Sequence, residues 1–243
     1  MVIKKHIPNF VTCLNIFSGA ISIVFAFKGN LDLAAWFIGL AAVFDFLDGM
    51  SARLLNAKSD IGLQLDSLAD VISFGLAPAV IVFQLMENAL NKPFIDWFGL
   101  NVFSLVAFIL VAFSALRLAK FNIDTEQADD FKGLPTPANA LFFASLPLVL
   151  FQAESLGFQF LQNSLTNYWV LFVLTIIFSG LLVSNIGLFS MKFKNLFWKG
   201  NQLRYILFIS FFVFFFLIRL YSLPLIIIFY ILLSVLFYKK SRV

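Results

Sequence analysis

One cysteine, one histidine and a charged fraction of only 12% in 243 residues put several chemistries out of reach. Cys13 has no second cysteine to pair with, so no intramolecular disulfide braces the fold, and the residue is expected to pack as a small apolar side chain. A zinc site draws on His and Cys, and His6 with Cys13 is too little to build one. Soluble domains carry about a quarter charged and about half apolar residues. This chain is 61% hydrophobic and holds 34 Phe, which excludes an ordinary soluble domain and points to an integral membrane protein.

A membrane-crossing helix needs roughly 20 apolar residues. Eight stretches are read as candidate spans: Ile7 to Phe27, Leu31 to Phe46, Leu65 to Leu85, Trp97 to Leu118, Pro137 to Phe151, Tyr168 to Leu188, Leu203 to Leu220 and Leu223 to Tyr238. The expected fold is all-α, a polytopic helix bundle of about eight transmembrane helices forming one membrane domain over residues 1–243, with no internal repeat. The first stretch is expected to remain as a span, not to be cleaved as a signal peptide. The Phe-rich run FISFFVFFFLI reads as lipid-facing bulk.

Lys28, Lys92 and Arg219 are the only basic residues in the odd-numbered gaps between spans, while the other 14 lie at the termini or in the even-numbered gaps. The positive-inside rule then puts both termini in the cytoplasm. The net charge of +4 is explained by topology and by anionic headgroups, without a nucleic-acid partner. The expected location is the cell (inner) membrane of a prokaryote. Asp124, Glu126, Asp129 and Asp130 read as a solvated loop, His6 as an interfacial residue and Arg219 as a helix-end anchor.

Four aspartates break the apolar pattern where polarity is costly. Asp45 and Asp48 close one apolar run, and Asp66 and Asp70 open the next. Ionisable groups at membrane depth are expensive and usually functional. The residues read D-x-x-D-G-x-x-A-R, then eight positions, then G-x-x-x-D-x-x-x-D. Asp45 and Asp48 share a helix face, and Gly62, Asp66 and Asp70 form a stripe on the following helix. A short connection carrying Arg53 and Lys58 lets the two stripes converge near the cytoplasmic surface. Gly49, Ala52 and Gly62 leave room for a ligand. Converging carboxylates repel one another and need a cation. Hard oxygen donors suit Mg²⁺ or Mn²⁺, with Ca²⁺ also accommodated. Two such ions can clamp both oxygens of a phosphoryl displacement, and Arg53 offers a planar fork for phosphate.

Asp45, Asp48, Gly49, Ala52, Arg53, Gly62, Asp66 and Asp70 match the signature of the CDP-alcohol phosphotransferase family at every fixed position, and the chain resembles that family over roughly its first 190 residues. The resemblance implies transfer of a substituted phosphoryl group from a CDP-linked donor to an alcohol, with release of CMP. It implies that Asp45, Asp48, Asp66 and Asp70 bind divalent metal, that Asp70 also serves as the base, and that Asp45, Asp48, Gly49, Ala52, Arg53, Gly62 and Asp66 surround the CDP moiety. Homodimers are common in the family, so a homodimer is expected.

Other segments bear on the acceptor. HIPNFVTCLNIFSG (residues 6–19), ALRLAKFN (115–122), FKGLPTPANA (131–140) and, more loosely, LVSNIGLFSMKFK (182–194) resemble the phosphatidylserine synthase branch of the family. Related synthases with a phosphorylated acceptor tend to carry Arg where this chain has Asn15. The expected partners are CDP-diacylglycerol, L-serine and membrane lipids. Glycerol 3-phosphate or an inositol phosphate as acceptor, and a divalent-cation transporter, are the competing readings. Arg117 and Lys120, with Lys132 on the same predicted side, are candidates for the serine carboxylate or a lipid phosphate, and equally for snorkelling to headgroups. Thr12 and Asn15 either line the site or bond neighbouring helices. Asn122 is expected to cap or turn. Thr136 between Pro135 and Pro137 is either a stiff helix start or a gate over the site.

Overall fold

The computed structural model describes residues 2–57, 59–123, 131–189, 197–198 and 200–237. Lys58, the acidic loop at 124–130, and Lys192, Lys194, Lys199, Lys239, Lys240 and Arg242 lie outside them.

The all-α expectation holds. The helices are α1 (Val2–Phe27), α2 (Leu31–Leu54), α3 (Asp60–Glu87), α4 (Val102–Ile123), α5 (Thr136–Leu156), a short α6 (Gln159–Leu165), α7 (Tyr168–Val183), α8 (Gln202–Ile218) and α9 (Ser222–Phe237). Among the described residues, six helical segments are long and apolar enough to cross a membrane, the last running through Gln202–Phe237, and Tyr168–Val183 is a shorter apolar helix. The chain is thus a multi-pass membrane protein. Gln202–Phe237 is interrupted at Arg219, whose φ of 52° breaks the helix, and α8 and α9 fold back onto each other.

Several span limits differ from those read in the sequence. The second helix continues past Phe46 to Leu54, and the third begins at Asp60, five residues before Leu65. Backbone hydrogen bonding carries a helix through charged turns that hydropathy excludes, so both aspartate pairs are helical. The fourth starts at Val102, because Asp96–Trp97 and Leu100–Asn101 form a tight antiparallel hairpin. Its turn residues Phe98 and Gly99 both have positive φ, as a two-residue primed turn requires. The sixth stops at Val183, and Gly187–Leu188 pairs with Phe131–Lys132 as a second strand pair. Cys13 is exposed, not packed inside. It shares a helix stripe with Phe10 and Phe17, each 64% exposed, so that stripe faces outward.

α3 and α5 are the central helices, and their most apolar stretches are each 72% buried, against 22% for Gln202–Phe237. In α8 only Leu207 is buried, and Phe208, Phe212, Phe215 and Phe216 face outward, as the Phe-rich run suggested. Small residues let α1 and α2 approach closely. Ala26, Ala34, Ala35 and Ala41 are buried, and the Ser22 hydroxyl donates to the Ala34 carbonyl at 2.8 Å.

α3 contains a π-helical turn at Val71–Leu76, where the Ala77 N–H bonds the Ile72 carbonyl five residues back. Pro78 follows directly, and its missing N–H and ring bulk would strain an ordinary α-helical turn against residue 74. The widened turn presses against its neighbours. A Cβ at Gly19 of α1 would lie 2.3 Å from Ser73 Oγ, so only glycine fits there. Ser73 donates to the Asn15 carbonyl at 3.0 Å, and Gly75 lies against Ser114 of α4. The π turn therefore braces α1 and α4 immediately beyond Asp70.

Candidate active site

α2 ends in a turn at Leu55–Asn56, with Asn56 at φ 49° and the Ala57 N–H returning to the Ala52 carbonyl. Ser59 then caps α3, its hydroxyl accepting the Gly62 N–H at 3.0 Å. Such a cap is worth about 1 kcal/mol. The short connection makes α2 and α3 consecutive antiparallel neighbours and brings their acidic stripes together. Carboxylate oxygens of Asp45, Asp48 and Asp66 all lie within 4.8 Å of one another. Asp70 is one turn deeper, buried, and its charge acts on Asp45, Asp66 and Asp48.

The three outer aspartates line an open cleft of about 660 Å³ together with Thr12, Gly49, Ala52, Arg53 and Gly62. The size is that of an ordinary small-molecule site. A Cβ at Gly49 would meet nothing within 4 Å, so no protein neighbour demands glycine there, and the position borders the cleft. Gly62 has a second role besides leaving room. A Cβ there would sit 3.0 Å from the capping Ser59 hydroxyl and 3.2 Å from Asn9 Oδ1. Arg53 is exposed at the rim, its Nε donating to the Gly49 carbonyl at 2.9 Å.

A second cavity, about 440 Å³, is lined by Arg117, Lys120 and Phe121 of α4, Lys132, and the segment Leu182 to Asn185. Asn122 at the end of α4 donates to Ser67 of α3 at 2.9 Å, so both cavities open at the same end of the bundle. Arg117 is buried between them. It lines the second cavity, donates from Nη1 to Thr136 Oγ1 at 2.9 Å, stands 5.6 Å from the Phe121 ring, and is the cation that acts on Asp70.

The sequence-derived candidates thus divide into two groups. The eight signature positions gather at the cleft and, for Asp70, beneath it. Thr12 joins them, facing Asp48 while donating to the Pro8 carbonyl at 3.0 Å. Arg117 and Lys120 belong to the other cavity. Asn15 is fully buried and lines neither, and its side-chain Oδ1 and Nδ2 have no hydrogen-bond partner. Thr136 is buried at the start of α5, directly after Pro135, and its hydroxyl accepts from Arg117. Asn139, one turn further along α5, was missed by the sequence reading. It is also fully buried with both side-chain polar atoms unpaired. An Asn inside an apolar span, three residues after Thr136, was the available signal.

The acidic cluster fits a divalent cation by its donor set and by its orphans. Hard carboxylate oxygens converge within coordination reach, and the buried Asp48 Oδ2 and Asp70 Oδ1 have no hydrogen-bond partner. Buried acceptors without partners are costly, and carboxylates crowded together more so. A bound cation removes both penalties.

A profile described as CDP-alcohol phosphatidyltransferase matches residues 5–181. The chain belongs to that family. Among curated proteins, it is 35% identical over 181 residues to a CDP-diacylglycerol–serine O-phosphatidyltransferase of Helicobacter pylori, covering 74% of this chain and 70% of that one. It is 36% identical over 146 residues to the Bacillus subtilis protein of the same name, covering 60% and 75%. It is 36% identical over 151 residues to an archaetidylserine synthase of Methanothermobacter thermautotrophicus, covering 61% and 60%. α8 and α9 lie beyond the family match.

Proposed function

We propose that this transferase moves the phosphatidyl group from CDP-diacylglycerol to the hydroxyl of L-serine, giving phosphatidylserine and CMP. The observation that carries the reading is the placement of Asp70 and Arg117 between an acidic cleft and a basic cavity that open at one end of the bundle. The names of the relatives support serine as the acceptor.

The donor occupies the cleft. Its diphosphate lies toward Asp45, Asp48 and Asp66 and its cytidine end near Gly49, Ala52, Arg53 and Gly62. Asp45, Asp48 and Asp66, with Asp70 contributing at depth, would hold two Mg²⁺ or Mn²⁺ ions. When bound, these supply charge neutralisation for the diphosphate and the departing CMP. Serine enters from the basic cavity, its carboxylate toward Arg117 and Lys120, its hydroxyl toward Asp70. Asp70 takes the hydroxyl proton, because an alcohol is a poor nucleophile until a base within hydrogen-bond reach removes it. The serine oxygen bonds to the phosphorus bearing the diacylglycerol. The bond from that phosphorus to the diphosphate's bridging oxygen breaks, and CMP leaves with the electron pair. Arg117 keeps the acceptor oriented and balances the buried charge of Asp70. Asn15 and Asn139 offer buried, unpaired amides.

The whole chain forms one membrane domain, a core over about residues 1–190 with α8 and α9 added. Both termini face the cytoplasm of a cell (inner) membrane, and the site works at that interface, where lipid tails stay in the bilayer. The homodimer common in the family is the expected assembly. The test is CMP release from CDP-diacylglycerol by purified protein, with and without L-serine and with a chelator. Serine-dependent, chelator-sensitive release supports the reading. Release with glycerol 3-phosphate or an inositol phosphate but not serine overturns the acceptor. Metal flux into liposomes with no CMP overturns the chemistry.

A further inference from the structure

The terminal hairpin is held at its turn by Gln152 of α5, and α9 itself carries a buried tyrosine that leads to the basic cavity. Tyr230 of α9 is 3% exposed, and its hydroxyl donates to the Phe189 carbonyl at 3.0 Å. The Phe189 ring packs edge-on against the Tyr230 ring, with centroids 5.1 Å apart and planes at 76°. Phe189 lies in a strap that begins where α7 stops. Ser184 and Asn185 of this strap line the basic cavity, and Gly187–Leu188 pairs with Phe131–Lys132. The strap is fixed again at Gly133, whose N–H bonds the Ile186 carbonyl at 2.9 Å. Gly133 has φ +78°, and a Cβ there would come 2.4 Å from the Leu182 carbonyl, so only glycine lets the two segments close up. Tyr230 also lies within electrostatic reach of Arg117. One tyrosine therefore holds the strap whose first residues line the cavity and stands near its most buried cation.

We infer that Tyr230 is a positioning residue for the acceptor: its hydroxyl holds the Ser184–Phe189 strap, and through it Lys132, in register with Arg117 at the basic cavity. This rests on the reading of that cavity as the serine site. It gives α9, which lies outside the family match, a part in acceptor affinity beyond filling the bilayer. The bond is specific. α9 buries few side chains, Leu233 and Ser234 among them, and the Ser234 hydroxyl only returns to the Tyr230 carbonyl at 2.8 Å within its own helix.

The test is steady-state kinetics of purified Tyr230→Phe, which keeps the ring stacked on Phe189 and removes only the hydroxyl. The loss of one buried hydrogen bond predicts a KM for serine raised about five- to tenfold. The KM for CDP-diacylglycerol is expected to stay close to wild type, and the Tm to fall by no more than about 2–4 °C. Ser234→Ala, one turn away on the same helix, is expected to leave the serine KM unchanged. An unchanged serine KM in Tyr230→Phe, or equal rises for both substrates with a larger fall in Tm, overturns the inference. Lys120→Ala separates this from failure of the underlying reading. If Lys120→Ala raises the serine KM and Tyr230→Phe does not, only the role of Tyr230 falls. If neither variant moves it, the assignment of serine to the basic cavity falls as well.

Discussion

The two cavities are built in opposite ways. Most groups of the acidic cleft come from two consecutive helices and the connection between them, residues 45 to 66, with Pro8, Asn9 and Thr12 added from α1. The basic cavity gathers Arg117 and Lys120 from α4, Lys132 from a two-residue strand and Ser184 and Asn185 from a strap after α7. A site made by one helical hairpin keeps its geometry as long as two helices pack. A site made by three separated segments depends on the contacts that tie those segments together. Donor chemistry and acceptor choice should therefore respond differently to mutation.

The sharpest way to break this contrast is Asp66→Asn. It removes one of three carboxylates that meet within 4.8 Å, so both turnover and donor affinity are expected to collapse. Retained donor affinity, read by CDP-diacylglycerol binding in the presence of Mg²⁺, would refute the cation assignment. Asp70→Asn should lower kcat by about 10²–10⁴-fold, the usual contribution of a general base, while donor binding largely survives. Single-turnover kinetics beside a binding isotherm checks the split. Arg53→Lys keeps the charge at the rim and loses the planar fork. A drop of roughly tenfold in kcat/KM for the donor is expected, with serine KM unchanged. Gly49→Ala is the mildest and the most discriminating. Its new methyl meets no protein atom, and alanine favours helix over glycine by about 1 kcal/mol, so Tm should hold or rise. The donor KM should nonetheless rise several-fold. A donor KM equal to wild type would show that the space beside Gly49 is not used by the ligand.

The same difference explains what the sequence revealed. Carboxylates three and four residues apart on adjoining helices leave a local pattern, and the convergence of Asp45, Asp48 and Asp66 could be read from spacing alone. The pairing of Lys132 with Gly187 has no local signature, so Arg117 and Lys120 were recognised as cations without a shape around them. Helix limits were misplaced where polarity and helicity part company. Asp48 and Arg53 lie inside α2 because the helix hydrogen bonds continue through them, although the apolar run ends at Phe46. Cys13 is expected by residue type to pack as a small apolar side chain, and its outward position follows from sharing a stripe with Phe10 and Phe17. The π turn after Asp70 was announced only by Pro78, a residue compatible with several kinds of helix irregularity.

That turn makes the length of α3 a functional quantity. A π turn is an α-helix holding one residue more than it needs. Excising a single residue from Val71–Leu76 would yield a more regular helix. It would also swing everything on one side of the excision by about 100° relative to the other. Ser73 would leave Gly19, or Asp70 would turn away from Arg117, since both cannot be kept. Regularity and the present placement of Asp70 and Ser73 are in this sense alternatives along α3, and the imperfect helix presents two faces that are out of phase with each other.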